Sequence, residues 1–207
     1  QETARVAAAE RTAALAQMKL LEAQVEPHFL YNTLAHVDSM IESDPATARR
    51  MLEWLIALLR ATAASANESA TLSRQVDWTR AYLELLQMRM GPRLEWTIDV
   101  DAELNDVVVP PAILQPLVEN AVKHGLEPRL AGGAITISAH RRGGMLALDV
   151  SDTGNGFRTT QRGADSTGIG LANLRARLAK LYGDRANMII ADNVPSGARV
   201  ALSLPLE

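Results

Sequence analysis

The chain has 207 residues, of which 47% are hydrophobic and only 4% aromatic. This composition suits one large or two small globular domains with an aliphatic core and excludes a disordered or fibrous protein. A net charge of −3 provides no basic field for nucleic acid. The lack of cysteine excludes disulfides, thiolate nucleophiles and cysteine zinc sites, and no apolar run is long enough to span a membrane.

Helix-forming residues fill positions 1–26, and apolar side chains there follow the 4-3 spacing of a coiled-coil or bundle seam. Because the chain starts at Gln1 rather than Met, we expect a sensor or membrane segment upstream of it. Pro27 then interrupts the helical pattern, at a cost of about 3 kcal/mol if it lies inside a helix. Either a new helix begins at Pro27, or the proline bends one long helix and exposes His28.

A helical hairpin is predicted next. His28 and Asn32 are polar positions one turn apart on the seam. The stretch SDPATARR predicts a turn and a second helix, with Asp44 as its N-cap and Pro45 in its first turn. Two amphipathic helices joined this way cannot close a core alone, so we expect two copies to pair in a four-helix bundle.

The polar break SANES predicts the boundary between an all-α region over 1–68 and a second region over 69–207. The second region mixes helices with alternating strands, which predicts an α+β sandwich in which helices cover one sheet. The predicted helices lie at 71–90, before Gly125 and around 169–182. The predicted strands are LEWTIDV, a hairpin turning at Gly143 and Gly144, and two final strands at about 186–192 and 198–204.

The first motif is VENAVKHG at 118–125. On an α-helix, Asn120 and His124 share a face, as do Glu119 and Lys123. This set offers an oxygen ligand for a hard cation and positive charges for phosphates, which a Mg²⁺-bound triphosphate requires. A solvated helix end with an ordinary Glu119–Lys123 ion pair would show the same residues.

The second motif, DTGNG at 152–156, directly follows a predicted strand. Asp152 could accept a hydrogen bond from an adenine amino group, and Gly154 and Gly156 would let the backbone approach a flat ring. The same residues are also common in simple turns.

The third motif, STGIGLANL, places Gly168 and Gly170 just before a predicted helix, whose first N–H groups can face an anion. A plain helix-entry loop would look the same. The polar segment 157–166 ahead of it suits a mobile flap over a nucleotide.

In this order the three motifs resemble the nucleotide-binding pattern of the GHKL ATPase superfamily. The stretches LLEAQVEPHFLYNTL and LQPLVENAVKHG look like those of the LytS-type sensor histidine kinases of bacterial two-component systems. The resemblance implies a dimeric helical hairpin followed by a GHKL-type α+β sandwich that binds ATP and Mg²⁺. It also implies a cytoplasmic portion of an inner-membrane-anchored sensor, whose partners are a second copy and a response regulator rather than nucleic acid.

The resemblance assigns roles to individual residues. His28 would be the phosphoacceptor that Pro27 helps to expose, Asn120 the Mg²⁺ ligand and Asp152 the adenine-recognising carboxylate. Asn32 would either assist the phosphoryl chemistry or fix the register of the bundle. The remaining residues that would contact or shape the nucleotide site are Lys123, His124, Gly154, Gly156, Gly168, Gly170 and Leu171.

Two departures from the family pattern leave the proton acceptor for His28 open. Glu26 stands where an asparagine is common, and Phe29 stands where many histidine kinases carry an acidic residue. Glu119 and Glu26 are therefore both candidates for the base.

Two other functions are compatible with the motifs. A GHKL ATPase that phosphorylates no histidine would need a carboxylate one turn before Asn120, where Pro116 stands. A nucleotide-gated dimeric scaffold would use His28 only as a core residue of the bundle.

Overall fold

The computed structural model describes residues 27–65, 70–156 and 167–206. The predicted seam over 1–26 and the predicted flap over 157–166 lie outside these residues. None of the described helices is both long and apolar enough to cross a membrane.

Three helices open the described chain: α1 (Pro27–Met40), α2 (Pro45–Ser65) and α3 (Leu72–Met90). The α1–α2 hairpin is confirmed, and Asp44 caps α2 as predicted, since its Oδ1 accepts the Thr47 N–H at 3.1 Å. Helix α3 packs along α2 and shares one hydrophobic core with the hairpin. The domain boundary near residue 68 stays a prediction.

Two sheets follow. A small antiparallel pair joins β1 (Ala70–Thr71) to β3 (Val108–Val109). The strands of the main sheet are β2 (Leu94–Val100), β4 (Gly133–Arg142), β5 (Met145–Asp152), β6 (Asn187–Asp192) and β7 (Ala198–Pro205). Their order across the sheet is β2-β4-β5-β7-β6, and within it only β2 and β4 run parallel. Short 3₁₀ turns occupy Gly91–Arg93, Ala102–Leu104 and Gly183–Arg185.

The predicted strands are confirmed. LEWTIDV forms β2 over its whole length, and the predicted hairpin turns at Gly143, whose φ of 61° lies in the left-handed region. Alternate residues of β4, β5 and β7 are buried, so one face of the sheet is apolar.

Helix α4 (Gln115–Asn120), which continues as a π-helical turn (Ala121–Leu126), and helix α5 (Thr167–Tyr182) add to the helical layer. They bury apolar side chains in the same core as the strands, and each fully buried one contributes roughly 1.5–3 kcal/mol. The core between the helices and the sheet includes Leu117, Val118, Leu174 and Leu178 from the helices and Ile135, Ile137, Leu148 and Val150 from the strands. This is the predicted α+β sandwich.

Two predicted helix boundaries are wrong. The helix of the first motif runs on through Gly125 to Leu126, because the turn widens and the Glu127 N–H bonds to the Val122 carbonyl at 2.9 Å. Helix α5 begins at Thr167, so Gly168 and Gly170 lie in its first turn instead of ahead of it. A Cβ on Gly170 would lie 3.7 Å from Pro116, so that first turn packs against the start of α4.

Candidate functional site

Asp152 is the last residue of β5 and is 2% exposed. Its Oδ1 accepts the backbone N–H groups of Gly154 at 2.7 Å and Ala198 at 3.3 Å. Burial raises the pKa of this carboxyl above its usual value, while the two N–H groups and the charge of Arg129 act in the opposite direction. A buried carboxyl group held in one orientation by backbone donors is typical of a binding site.

Close backbone contacts surround this carboxylate. A Cβ on Gly125 would lie 2.6 Å from Oδ1 of Asp152, and a Cβ on Gly154 would lie 2.3 Å from the Gly125 carbonyl oxygen. The Asn155 N–H also bonds to the Gly125 carbonyl at 3.2 Å. The structure therefore brings the first and second motifs into direct contact.

Three further residues shape the same loop. Arg129 donates to the carbonyl oxygens of Thr153 and Gly154, the latter at 3.3 Å. Asn193 donates from Nδ2 to the Asp152 carbonyl at 2.8 Å. Gly197 has a φ of 105°, and a Cβ on it would lie 1.9 Å from that same carbonyl oxygen.

Sequence reasoning missed Arg129, Asn193 and Gly197. The only local signal for the last two is the turn-forming stretch NVPSG, and a turn does not reveal which loop it will contact.

The polar side chains of the first motif lie on α4 and its π turn. Asn120 is half-buried at the end of the α-helical part, and the Oε1 of Glu119 accepts Gln115 Nε2 at 2.9 Å. Lys123 is exposed and His124 is half-buried within the π turn. The spacing that predicted shared faces assumed a regular α-helix, so it does not hold beyond Asn120.

The third motif meets the first at the contact between Gly170 and Pro116. Leu171 is 6% exposed and belongs to the hydrophobic core. Gly168 lies in the first turn of α5. Gly156, with a φ of 73°, ends the described part of the loop after β5.

Buried hydrogen bonds fix the segment that leads into α4. The Gln75 side chain on α3 is 4% exposed and donates to the Pro110 carbonyl at 2.8 Å. Its Oε1 accepts the N–H groups of Ile113 at 2.9 Å and Leu114 at 3.2 Å. The start of the motif helix is therefore anchored to α3.

His28 and Asn32 lie on α1, outside the layer that holds Asp152. His28 belongs to the first described turn of that helix, and Asn32 is half-buried one turn later.

Comparison with known proteins finds matches for two parts of the chain. A family model described as "Histidine kinase" matches residues 16–94, and one described as "Histidine kinase-, DNA gyrase B-, and HSP90-like ATPase" matches residues 107–207. The sensor histidine kinase BtsS of Escherichia coli K12 is 33% identical over 189 residues, covering 91% of this chain and 33% of the relative. The sensor protein LytS of Oceanobacillus iheyensis is 34% identical over 202 residues, covering 92% and 34%. The chain thus spans about a third of the length of these relatives.

Solved structures share the fold. The catalytic domain of the histidine kinase ThkA, in a nucleotide-free form, aligns with a TM-score of 0.52 at 16% identity, covering 67% of this chain and 97% of that one. The blue-light activated histidine kinase of Erythrobacter litoralis aligns with a TM-score of 0.51 at 19% identity, covering 91% and 59%. With one family model on the helical part and the other on the sheet part, the chain belongs to the histidine kinase family.

Proposed function

We propose that the chain is the dimerisation and catalytic portion of a bacterial sensor histidine kinase, in which His28 receives the γ-phosphoryl group of ATP and passes it to an aspartate of a response regulator. The observation that carries the proposal is the buried Asp152 carboxylate, which the contact between Gly125 and Gly154 joins to the helix of the first motif. The same chain carries His28 on a separate helix, α1. We further infer that this portion lies in the cytoplasm, downstream of a membrane-anchored sensor segment.

The residues around Asp152 fit a nucleoside triphosphate. Both backbone donors bind Oδ1, so Oδ2 would receive the amino group of adenine. The N–H groups in the first turn of α5, which contains Gly168 and Gly170, suit anionic phosphates. Lys123 would add positive charge and His124 a ring N–H donor on the α4 side, and Gly156 would let the loop after β5 follow the nucleotide closely.

Asn120 would supply the protein ligand for Mg²⁺. Within residues 27–65, 70–156 and 167–206, no group of three or more His, Asp or Glu side chains is placed to hold a metal ion. The ion would therefore take most of its ligands from phosphate oxygens and water, which is the usual arrangement for Mg²⁺ beside a nucleotide.

In the transfer step a nitrogen of neutral His28 would form a bond to the γ-phosphorus as the bond to the bridging oxygen breaks and ADP leaves. Neutral imidazole predominates at cytoplasmic pH because its reference pKa is about 6.5. Phosphoryl transfer depends mainly on positioning and charge neutralisation, which Asn120, Lys123 and His124 would supply. The ring proton must pass to a base, for which we propose Glu119; Glu26, the other candidate, lies outside the described residues.

A second copy is the partner that the helical hairpin requires. Large apolar side chains stay exposed along the hairpin of a single copy: Tyr31 on α1 is 72% exposed, and Ile41, in the turn after α1, is 52% exposed. Leu34, Leu52 and Ile56 are also exposed on these helices. Pairing two hairpins in a four-helix bundle would bury these side chains.

Labelled ATP tests the proposal directly. We expect the wild-type chain with Mg²⁺ to acquire acid-labile, base-stable label, as phosphohistidine does. His28→Ala should abolish the label and leave ATP affinity within a few-fold, whereas the control His36→Ala, on the same helix, should be labelled normally. Undiminished labelling of His28→Ala would refute the assignment of the phosphoacceptor.

Asn32 lies one turn beyond His28, where its amide could bind the phosphoryl group or a water near it. We expect Asn32→Ala to keep the dimer constant and to change the rate at which the phosphorylated regulator loses its phosphate. Normal dephosphorylation combined with weaker dimerisation would show instead that Asn32 fixes bundle register.

A further inference from the structure

Arg89, near the end of α3, contacts two parts of the chain that are far apart in sequence. Its guanidinium carbon lies 5.9 Å from the ring centroid of Phe29, and its Nη2 pairs with Oε1 of Glu127. The Arg89 side chain is only 26% exposed, so solvent screens these contacts less than it would on an open surface. Phe29 directly follows His28, and Glu127 lies two residues after Gly125.

The Phe29 side of this link is fixed by aromatic packing. Phe29 is 5% exposed, and its ring centroid lies 5.1 Å from that of Tyr82. Tyr82 stacks on Trp78 at 5.2 Å with an interplanar angle of 12°, and Trp78 Nε1 donates to Thr62 Oγ1 at 3.0 Å. The start of α1 is therefore attached to α3 and α2 through contacts that leave little room for sliding.

The Glu127 side of the link is fixed to the loop around Asp152. Arg93, which follows α3, donates from Nη2 to the Arg129 carbonyl at 2.6 Å. Arg129 in turn donates to the carbonyl oxygens of Thr153 and Gly154. The segment 125–129 is thus bonded both to the end of α3 and to the nucleotide loop.

We propose that Arg89 is a positioning residue for phosphoryl transfer: it holds the first turn of α1, and His28 with it, in fixed register with the segment that closes against Asp152. This inference rests on the proposed function. A planar guanidinium suits the role because it can face an aromatic ring and bind a carboxylate at the same time, which an ammonium group does less well.

A purely structural role would give a different result. If Arg89 only stabilised α3, its replacement would lower thermal stability and affect nucleotide binding and phosphoryl transfer together. A positioning role predicts that the transfer rate changes while nucleotide affinity does not, and that Glu127 acts only through Arg89.

The first experiment measures the rate constant of His28 labelling at saturating ATP, together with the Kd for ATP, in the full chain. We expect Arg89→Gln to lower the rate constant by about tenfold or more, since small misplacements of reacting groups are costly, with Kd within about threefold. Arg89→Lys, which keeps the charge but loses the planar guanidinium, should recover only part of the rate. The control is Arg49→Gln, because Arg49 forms a similar ion pair with Glu53 on α2 but is 80% exposed.

The same assay tests whether Glu127 acts through Arg89. Glu127→Gln should slow labelling by about fivefold in the wild-type background but less than about twofold when Arg89→Gln is already present, because contacting residues are not additive. An equal effect of Glu127→Gln in both backgrounds would overturn the inference. A rate for Arg89→Gln equal to that of Arg49→Gln would also overturn it.

A second experiment does not depend on phosphoryl transfer. Amide hydrogen exchange should rise in both segments 27–33 and 125–132 of Arg89→Gln and in neither segment of Arg49→Gln. If the wild-type chain is never labelled on histidine, the proposed function fails, and the exchange data still decide whether Arg89 links the two segments. A rise in only one segment, or in neither, would overturn the link.

Discussion

Gly125 and Asp152 lie in such close contact that a Cβ on Gly125 would stand 2.6 Å from the Oδ1 atom of the carboxylate. Gly125 lies within the π turn that continues α4, and Asp152 ends β5. The contact packs the end of the first motif directly against the carboxylate that the second motif supplies. It leaves no space for a side chain between them.

The contact between Gly125 and Gly154 predicts that adding one methyl group to Gly154 will strongly destabilise the fold. A Cβ on Gly154 would lie 2.3 Å from the Gly125 carbonyl carbon, so Gly154→Ala must displace backbone. We expect a loss of about 2 kcal/mol or more in the free energy of unfolding, together with weaker ATP binding. Gly144→Ala is the matched control, because nothing lies within 4 Å of its added Cβ. Urea unfolding that gives equal stabilities for the two variants would contradict the close contact.

Asp152→Asn should weaken ATP binding while stabilising the protein without nucleotide. The loss of a charge-assisted hydrogen bond to adenine should reduce the binding free energy by roughly 1.5–3 kcal/mol, measured by calorimetry. Because burial raises the pKa of Asp152, the folded state disfavours the charged form, and the asparagine variant avoids that cost. We therefore expect the free energy of unfolding at neutral pH to rise in the variant without nucleotide.

The sign of the pH dependence follows from the same shift. Because the pKa of Asp152 is higher in the folded state than in the unfolded state, the protonated carboxyl stabilises the fold. This stabilisation is complete below the pKa of the unfolded state and is lost as pH rises through the pKa of the folded state. The advantage of Asp152→Asn should therefore shrink as pH falls through that range. An advantage that grows at lower pH would show that the carboxyl has a lowered pKa.

His140, near the end of β4, is a second group whose pKa is shifted and can be followed by titration. Its Nδ1 lies 3.0 Å from Oδ1 of Asp101 and its Nε2 lies 3.7 Å from Oδ2 of Asp99. The hydrogen bond to Asp101 raises the pKa of His140 above 6.5, so the pair stabilises the fold below that pH and stops doing so as pH rises through the folded value. NMR titration, assigned with His140→Gln, should show the raised midpoint, and Asp101→Asn should bring it back toward 6.5. A midpoint unchanged by Asp101→Asn would rule out this pairing.

Gln75 should be far more important for stability than another glutamine on the same helix. Gln75→Leu leaves the Pro110 carbonyl and the N–H groups of Ile113 and Leu114 buried without their partner, at an expected cost of about 3 kcal/mol or more. Gln87 bonds to Leu94 and Trp96 but is only half-buried, so Gln87→Leu should cost about 1 kcal/mol. Urea midpoints of the two variants compare them directly, and similar losses would refute the anchoring role of Gln75.

The strands could be predicted closely because their signals are local. Alternation alone placed β2, and the glycine pair at 143–144 placed the hairpin, where the observed turn has a positive φ. The π turn could not be predicted, since its residues are ordinary helix formers and the wider turn coincides with the packing of Gly125 on Asp152. The glycines of the third motif predict a loop, whereas α5 already begins at Thr167 and Gly170 packs close to Pro116.

The residues of the candidate site likewise fall into two groups: those that a local sequence motif indicates and those that no local signal indicates. Asp152 and Gly154 belong to a recognisable motif, and the structure places them together. Arg129, Asn193 and Arg89 act through contacts with residues distant in the chain, and no local pattern indicates which residues they contact. No periodicity along one segment could have revealed them.

The parallel pairing of β2 with β4 has a consequence for the order of folding. The β4–β5 hairpin and the β6–β7 pair close over short loops, but Leu94 of β2 pairs with Gly133, across a long intervening segment. Closing that loop has a larger entropic cost, so we expect β2 to join a sheet nucleus that the later strands have already formed. During synthesis the helical hairpin and α3 leave the ribosome before β4 does. Until β4 has emerged, β2 has no strand to pair with, and these helices have no sheet to pack against. Their apolar faces are therefore exposed in the nascent chain until the β4–β5 hairpin has emerged, which takes a few seconds at bacterial rates.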